Sequence, residues 1–195
     1  MQILIVTSNK NKVKEFKEML EPLGYEVSSL LDQNPVPEIP ETGTSFAENA
    51  SQKAEYGRDH YHCWTVADDS GLCIEALDNQ PGINSARYLG HDTSYDYKNK
   101  VILEKLQNQT NRKASFHCAI ALAIPGQPTK VFEGLFLGQI AKEITGANGF
   151  GYDPIFYIPS LNKTSAQLTP EKKNEISHRG QATKMLLAYL KDHPV

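Results

Sequence analysis

The chain has 195 residues, 39% of them hydrophobic and 22% charged, which is the composition of a globular protein of one domain. Its formal net charge of -3 at pH 7 provides no global basic field, so we expect neither nucleic acid nor a membrane as partner. The three cysteines fit no metal framework, and no run approaches the roughly 18 apolar residues of a membrane span. We therefore expect reduced thiols and a cytoplasmic location.

The beginning of the chain alternates predicted strands and helices. Residues 3–7 are rich in β-forming side chains and predict a buried strand. A helix is predicted next, and Gly24 would end it. Its apolar residues recur at helical spacing: Val13, Phe16, Met19, Leu20 and Leu23. Residues 25–31 predict a second strand, and this strand, helix, strand order indicates an α/β fold.

Two neighbouring aspartates follow the third predicted strand. Three prolines and a glycine make residues 32–45 a loop, and Ser45 lies three residues before a glutamate, as in a capping box at a helix start. Residues 63–67 then predict a strand that ends at Asp68 and Asp69. Ligands usually bind at the ends of such strands in open α/β sheets.

The second half of the chain predicts long strands and a final helix. Residues 95–107 predict a helix, and residues 114–141 predict two long strands joined by a turn. Residues 146–156 form a glycine-rich loop, and Thr169 with Pro170 signals the start of the last helix. The long strands, together with the long loops, suggest two lobes with a groove between them.

The segment "TSNKNK" predicts an anion site. Thr7, Ser8 and Asn9 lie where the first strand gives way to a helix, and a helix N-terminus offers unpaired N–H groups and a partial positive charge. Lys12 adds a charge one turn later, so a phosphate would fit here. The alternative is an ordinary helix cap followed by a solvated lysine-rich face.

Three carboxylates form a candidate metal site. Mg²⁺ prefers oxygen ligands and often takes one or two protein carboxylates plus substrate phosphates, which Glu41, Asp68 and Asp69 could provide. One aspartate would then be available as a general base acting on water. The alternative is a solvated turn in which Ser70 and Gly71 are the turn residues.

The segment "NGFGYDPIF" is suited to a planar ligand. Gly149 and Gly151 allow the backbone to come close to a ligand, and the rings of Phe150 and Tyr152 could stack on a base. Asp153 could accept hydrogen bonds from base N–H groups. The alternative is a tight turn with aromatic side chains in the core.

The segment "EKKNEISHRG" gathers three potential cations. Lys173, His178 and Arg179 could bind phosphate or a planar acceptor, since an arginine can donate two parallel hydrogen bonds. The alternative is a solvated charged face on which Ser177 caps the final helix.

Together these segments form a set suited to a nucleoside triphosphate, and at this point the sequence resembles the inosine triphosphate pyrophosphatase family. The matching segments follow the family order from residue 7 to residue 182: "TSNKNKVKE", "PETGTSFAENASQKA", "ADDSGL", "PGINSARY", "GFGYDPIF" and "EKKNEISHRGQA". Ser8 is a departure, because members often carry glycine there.

The resemblance implies a fold and a role for each matching residue. It implies a single domain over residues 1–195, with an elongated mixed β-sheet core flanked by helices, two lobes and an active-site groove between them, and a homodimer. Glu41 and Asp68 would bind Mg²⁺, and Asp69 would activate water and also contact the metal. The substrate-binding set would be Thr7, Ser8, Asn9, Lys10, Asn11, Lys12, Lys53, Ser70, Arg87, Phe150, Gly151, Tyr152, Asp153, Lys173, His178 and Arg179.

The reaction implied by the resemblance is the hydrolysis of a nucleoside triphosphate to the monophosphate and pyrophosphate. Bacterial members of the family act on ITP, dITP and XTP, which removes deaminated purines from the nucleotide pool. Two alternatives remain open at the level of the sequence. One is a nucleotide pyrophosphatase with a different base preference, and the other is a nucleotide-binding regulator without catalysis.

Overall fold

The computed structural model describes residues 2–33 and 35–193. The helices are α1 Lys10–Leu20, α2 Phe46–Tyr61, α3 Tyr95–Lys105, α4 Pro170–Ile176 and α5 His178–Asp192. The strands are β1 Gln2–Ile5, β2 Glu26–Ser29, β3 Thr65–Ile74, β4 Gln80–Pro81, β5 Lys113–Ala123, β6 Lys130–Ile140, β7 Phe156–Ile158 and β8 Lys163–Thr164. Their order in the sheet is β2-β1-β3-β5-β6-β7-β8, and β4 pairs with β3. This central sheet with flanking helices confirms the predicted α/β class.

The described chain divides into two compact units. The first takes in the chain up to Asp69, then Cys118–Glu133, and then the chain from Ala182 onward. The second takes in Ser70–His117 and Gly134–Gln181. The groove predicted from the sequence stays a prediction. No helix within residues 2–33 and 35–193 combines the length and the apolar character that crossing a membrane requires.

In the first unit, β1 pairs in parallel with both β2 and β3, and its side chains alternate between two cores. Ile3 and Ile5 belong to the cluster that contains Phe16 of α1. Leu4 belongs to a second cluster, which contains Ala50 and other residues of α2. Since successive side chains of a strand point to opposite faces, α1 and α2 cover opposite faces of the sheet.

Gly57 of α2 lies very close to the strands beneath it. A Cβ added at Gly57 would lie 2.5 Å from Cγ2 of Val6 and 3.0 Å from Cγ2 of Thr65, and both neighbours are fully buried. The helix can approach the sheet this closely because position 57 has no side chain.

We expect Gly57→Ala to lower the free energy of unfolding by about 1–3 kcal/mol, because overpacking of this kind outweighs the gain of about 1 kcal/mol in helix propensity. Urea denaturation measures the change. Arg58→Ala is the matched control, because Arg58 pairs with the exposed Asp59 and such pairs contribute little. A stability equal to or above that of the wild type in Gly57→Ala would contradict this packing argument.

The second unit has its own core. Leu72 and Ile74 of β3 belong to a cluster that also contains Ile102 of α3 and Phe156 of β7. The guanidinium of Arg112 donates to three backbone carbonyl oxygens, those of Ile140, Leu106 and Ala141, at 2.7, 2.8 and 2.6 Å. These three bonds fix the end of α3 to the chain that follows β6.

The structure corrects the predicted end of the third strand. β3 does not end at Asp68 and Asp69 but continues through both aspartates to Ile74. Aspartate and glycine are depleted in strands, and the strand was therefore predicted to end at this pair, with a solvated turn as the alternative. The two buried aspartates are stabilised instead by lysines from α1 and α2, which no local pattern could reveal.

The structure also corrects the two predicted helices at the ends of the chain. Leu23, predicted to line the first helix, lies beyond α1 and is 49% exposed, although Gly24 ends this region in a left-handed conformation as expected. Thr169 caps the last helical segment as predicted, but that segment breaks at Ser177 into α4 and α5. The hydroxyl of Ser177 accepts from Gly180 N at 3.1 Å.

Candidate active site

Asp68 and Asp69 lie on opposite faces of β3 in the first unit. Val66 belongs to the α1 cluster and Ala67 to the α2 cluster, and the alternation continues through the two aspartates. Oδ2 of Asp68 lies 3.1 Å from Nζ of Lys12 on α1. Asp69 faces α2 instead. The two adjacent carboxylates are therefore neutralised separately, which explains how they tolerate each other inside a strand.

Asp69 is held by two side chains that lie one turn apart on α2. Nδ2 of Asn49 donates to Oδ2 of Asp69 at 3.0 Å, and Nζ of Lys53 lies 3.8 Å from Oδ1. The same Nζ lies 2.5 Å from Oε1 of Glu41 and donates to the carbonyl oxygen of Asp68 at 2.8 Å. Lys53 thus brings Glu41 and Asp69 to a common point.

The surroundings of Asp69 make it a stronger base than an exposed aspartate. Its residue exposure is 6%, and this burial raises the pKa of the carboxyl. The charges of Lys53 and Lys12 oppose the shift, the charge of Glu41 adds to it, and the bond from Asn49 opposes it. The pKa of Asp69 remains raised, and a base with a raised pKa takes a proton from water more readily.

Asn49 was missed by the sequence analysis. It is fully buried, and its Oδ1 accepts from Gly43 N at 2.8 Å while its Nδ2 holds Asp69. It therefore connects the loop that carries Glu41 to the aspartate. The sequence could have indicated Asn49, because it lies four residues before Lys53 in a predicted helix and the two residues must share a face.

The N-terminus of α1 is capped by Asn9. Its Oδ1 accepts from the backbone N–H groups of Asn11 and Lys12 at 2.9 and 3.3 Å, and Thr7 Oγ1 accepts from Asn9 N at 3.2 Å. Ser8, Lys10 and Asn11 are exposed. The structure therefore places Lys12 beside the carboxylate of Asp68. The other predicted residues of this segment lie at the N-terminal end of α1.

The carboxylates of the first unit have the donor atoms that a metal ion requires. Within residues 2–33 and 35–193, no group of three or more histidine, cysteine, aspartate or glutamate side chains is already arranged around one metal position. Glu41 and Asp69 nevertheless converge on a single cation, the ammonium of Lys53. Since carboxylate oxygens are the donors that Mg²⁺ prefers, the donor chemistry fits this ion.

The second unit places an aromatic ring beside two cations. The ring centroid of Phe150 lies 4.9 Å from Nζ of Lys173 and 5.7 Å from Cζ of Arg179. Oδ2 of Asp153 accepts from Phe150 N at 2.8 Å and from Nζ of Lys173 at 2.6 Å. A Cβ at Gly149, whose φ is +73°, would lie 2.2 Å from the same oxygen. The loop therefore depends on glycine and on Asp153.

Three predicted residues of this unit have structural partners. Tyr152 is 3% exposed and its hydroxyl donates to the carbonyl oxygen of Ser85 at 2.7 Å. Asp153 is 2% exposed and accepts hydrogen bonds from Phe150 and Lys173. Nε of Arg87 donates to Oδ1 of Asn84 at 3.0 Å. The contacts of these residues with a substrate stay predictions.

The end of α4 and the start of α5 carry the remaining candidates. Nη2 of Arg179 donates to Oγ of Ser70 at 2.9 Å, and the ring of His178 stacks on Phe116 with centroids 4.8 Å apart. Both His178 and Arg179 are buried. The structure thus groups Ser70 and Phe150 with Lys173 and Arg179, and it places His178 against Phe116.

A protein-family model described as the Ham1 family matches residues 3–189 of this chain. The chain belongs to the Ham1 family. The match covers almost the whole chain, and it confirms the resemblance to the inosine triphosphate pyrophosphatase family that was inferred from six segments.

Individual Ham1 relatives agree with the family match. The chain is 48% identical over 188 residues to a dITP/XTP pyrophosphatase of Exiguobacterium sp., covering 96% of each chain. It is 50% identical over 190 residues to a dITP/XTP pyrophosphatase of Halalkalibacterium halodurans, covering 96% of this chain and 97% of the relative. The solved structure of the Staphylococcus aureus Ham1 protein is 42% identical, with a TM-score of 0.90 and 100% of both chains covered.

Proposed function

We propose that this Ham1 chain is a Mg²⁺-dependent nucleoside triphosphate pyrophosphatase that hydrolyses dITP, ITP and XTP to the monophosphate and pyrophosphate. The observation that carries the proposal is the buried Asp69, held by Asn49 and Lys53 beside Glu41. The names of the relatives support the substrate class, because they are dITP/XTP pyrophosphatases at 48% and 50% identity.

The residues of the first unit perform the hydrolysis. Asp69 takes a proton from the water that attacks the α-phosphorus, and pyrophosphate is the leaving group. Glu41, Asp68 and Asp69 would hold Mg²⁺, which when bound supplies positive charge that offsets the charge of the phosphate oxygens. Lys12 and Lys53 add two further cations near these carboxylates, and positioned charges of this kind stabilise the transition state.

The helix end at α1 binds the triphosphate. Its exposed residues Ser8, Lys10 and Asn11 surround the positive end of the helix dipole, where the side chain of Asn9 caps the N–H groups of Asn11 and Lys12. Thr7, Asn9 and Lys12 complete this set. The arrangement favours an anion because both the helix terminus and the lysines are positive.

The second unit binds the purine and distinguishes the bases. Phe150 stacks on the ring, and Arg179 or His178 donates to the 6-oxo group of hypoxanthine or xanthine. Adenine carries an amino donor at that position, so buried donors of the protein would lose their partner, which costs orders of magnitude in rate. Guanine shares the 6-oxo group, and its rejection must therefore depend on its 2-amino group. Ser70, Arg87 and Lys173 complete the contacts.

In the cell this activity removes deaminated purine nucleotides from the pool, and we propose that it operates in the cytoplasm in a homodimer. The reduced cysteines Cys63, Cys73 and Cys118 are compatible with that compartment.

The test is pyrophosphate release from ITP, dITP, XTP, GTP and ATP with Mg²⁺ at mildly alkaline pH. We expect fast release from the first three and slow release from GTP and ATP. Excess EDTA should abolish release, and added Mg²⁺ should restore it. Equal rates on ATP and GTP would indicate a pyrophosphatase with a different base preference. Tight ITP binding without pyrophosphate release would indicate a non-catalytic regulator.

A further inference from the structure

Two adjacent residues of α3, Lys98 and Asn99, are almost completely buried in the second unit, each with 1% exposure. Nζ of Lys98 donates to the carbonyl oxygen of Ala86 at 2.7 Å. Nδ2 of Asn99 donates to the carbonyl oxygen of Gly151 at 3.1 Å. One turn of one helix therefore holds the backbone of two different loops.

Each of these loops carries a residue of the candidate site. Ala86 directly precedes Arg87, and Gly151 directly follows Phe150. The Ala86 carbonyl belongs to the peptide plane shared with Arg87, so the bond from Lys98 fixes the direction in which the Arg87 side chain leaves the chain. The Gly151 carbonyl belongs to the peptide plane shared with Tyr152, so the bond from Asn99 fixes the glycine loop one residue after Phe150. Lys98 and Asn99 are themselves buried, and they act on Arg87 and Phe150 through the backbone.

Lys98 is an unfavourable residue for stability at this position. Within the described residues, its ammonium contacts the Ala86 carbonyl and lies 4.8 Å from the ring centroid of Tyr95, and no carboxylate pairs with it. Burial lowers the pKa of Lys98, which reflects the cost of keeping a cation away from water. A buried charge without an opposite charge costs stability, and the hydrogen bond to Ala86 and the contact with the Tyr95 ring offset part of that cost.

Other hydrogen bonds also support the two loops. Oγ of Ser85 accepts from Leu72 N at 2.9 Å and donates to the carbonyl oxygen of Gly82 at 2.6 Å. Tyr152 donates to the carbonyl oxygen of Ser85 at 2.7 Å, and this bond links the two loops directly. Lys98 holds the next peptide group in the chain, through the carbonyl oxygen of Ala86.

We propose that Lys98 and Asn99 are positioning residues that set the affinity and the base selectivity of the purine site through Arg87 and Phe150. The proposal deepens the function proposed above and rests on it for the identity of the substrate. It predicts that the residues act on the binding of the base and not on the hydrolytic chemistry, which belongs to Asp69 in the other unit.

The decisive variant is Lys98→Met, which keeps the length of the side chain and removes both the donor and the buried charge. We expect the KM for ITP to rise about 3- to 10-fold, which is smaller than the loss of a direct charged hydrogen bond because Lys98 acts only through Arg87, with kcat changed less than twofold. The ratio of kcat/KM for ITP over GTP should fall by a similar factor. The melting temperature checks that the variant is folded, because removal of the buried cation favours stability whereas loss of the donor to Ala86 opposes it.

Lys100→Met is the matched control, because Lys100 is an exposed lysine of the same helix. It should leave KM, selectivity and melting temperature unchanged. Asn99→Leu is the second variant and should raise the KM for ITP in the same range through the Gly151 carbonyl. An unchanged KM and selectivity in a folded Lys98→Met protein would overturn the proposal, and so would an equal change in Lys100→Met.

Hydrogen–deuterium exchange of the ligand-free protein separates this proposal from the proposed function. Amides of residues 85–88 should exchange faster in Lys98→Met, and amides of residues 149–152 should exchange faster in Asn99→Leu, whereas Lys100→Met should match the wild type. Exchange unchanged in both variants would overturn the positioning role. If the wild type released no pyrophosphate from ITP, the proposed function would fail, and the exchange measurement would still decide whether these residues fix the two loops.

Discussion

Replacing Asp69 by asparagine should lower kcat for pyrophosphate release from ITP by about 10²- to 10⁴-fold, which is the usual contribution of a positioned general base. The amide has the same shape and its oxygen can still accept from Nδ2 of Asn49, but it takes no proton from water. The measurement is the initial rate of pyrophosphate release at saturating ITP and Mg²⁺.

The same variant should not be less stable than the wild type. Because the pKa of Asp69 is raised in the folded protein, the protonated carboxyl favours folding at low pH, and that contribution is lost as the pH rises through the raised pKa. Above the raised pKa the ionised carboxylate gives no such stabilisation, and a neutral amide avoids the cost of burying that charge. Thermal unfolding without added metal checks this. Near wild-type turnover in a folded Asp69→Asn protein would overturn the assignment of Asp69 as base.

Replacing Arg179 by methionine should lower the preference for ITP over ATP by about 10- to 150-fold in kcat/KM, which corresponds to roughly 1.5–3 kcal/mol for a charged hydrogen bond. Methionine keeps much of the volume of this buried side chain and removes every donor. The measurement is kcat/KM for ITP and for ATP in the same preparation.

Lys172→Met is the control for this prediction, because Lys172 is an exposed cation of the neighbouring α4, where it pairs with Glu175. It should preserve the preference for ITP. A preference that survives in Arg179→Met, with turnover merely slower, would mean that Arg179 binds phosphate and does not read the 6-oxo group.

The sequence predicted the elements whose signals are local. Helical spacing located Phe16 and Leu20 in α1, and Ser45 and Thr169 cap the helices that they were predicted to start. Gly24 adopts the left-handed conformation that a helix end requires. These signals each depend on residues within a few positions of each other. They can therefore be recognised without knowledge of the tertiary structure.

The features that the sequence did not predict depend on residues far apart in the chain. Nothing near Asp68 indicates that Lys12 will neutralise it, so the strand was predicted to end at the two aspartates and not to continue through them. The role of Lys98 was hidden for the same reason, because its partner is the carbonyl of Ala86 and any residue could provide one. Since every residue has a backbone carbonyl, the sequence does not indicate which carbonyl accepts a side-chain hydrogen bond.

The alternation of Asp68 and Asp69 through β3 makes this strand intolerant of a change in length. A single-residue insertion or deletion between Thr65 and Asp68 would rotate every later side chain to the other face, because the side-chain period of a strand is two. Asp69 would then face Lys12, and Asp68 would face Asn49 and Lys53. Length variation in evolution should therefore be confined to the loops, whereas β3 should keep its residue count even where its sequence drifts.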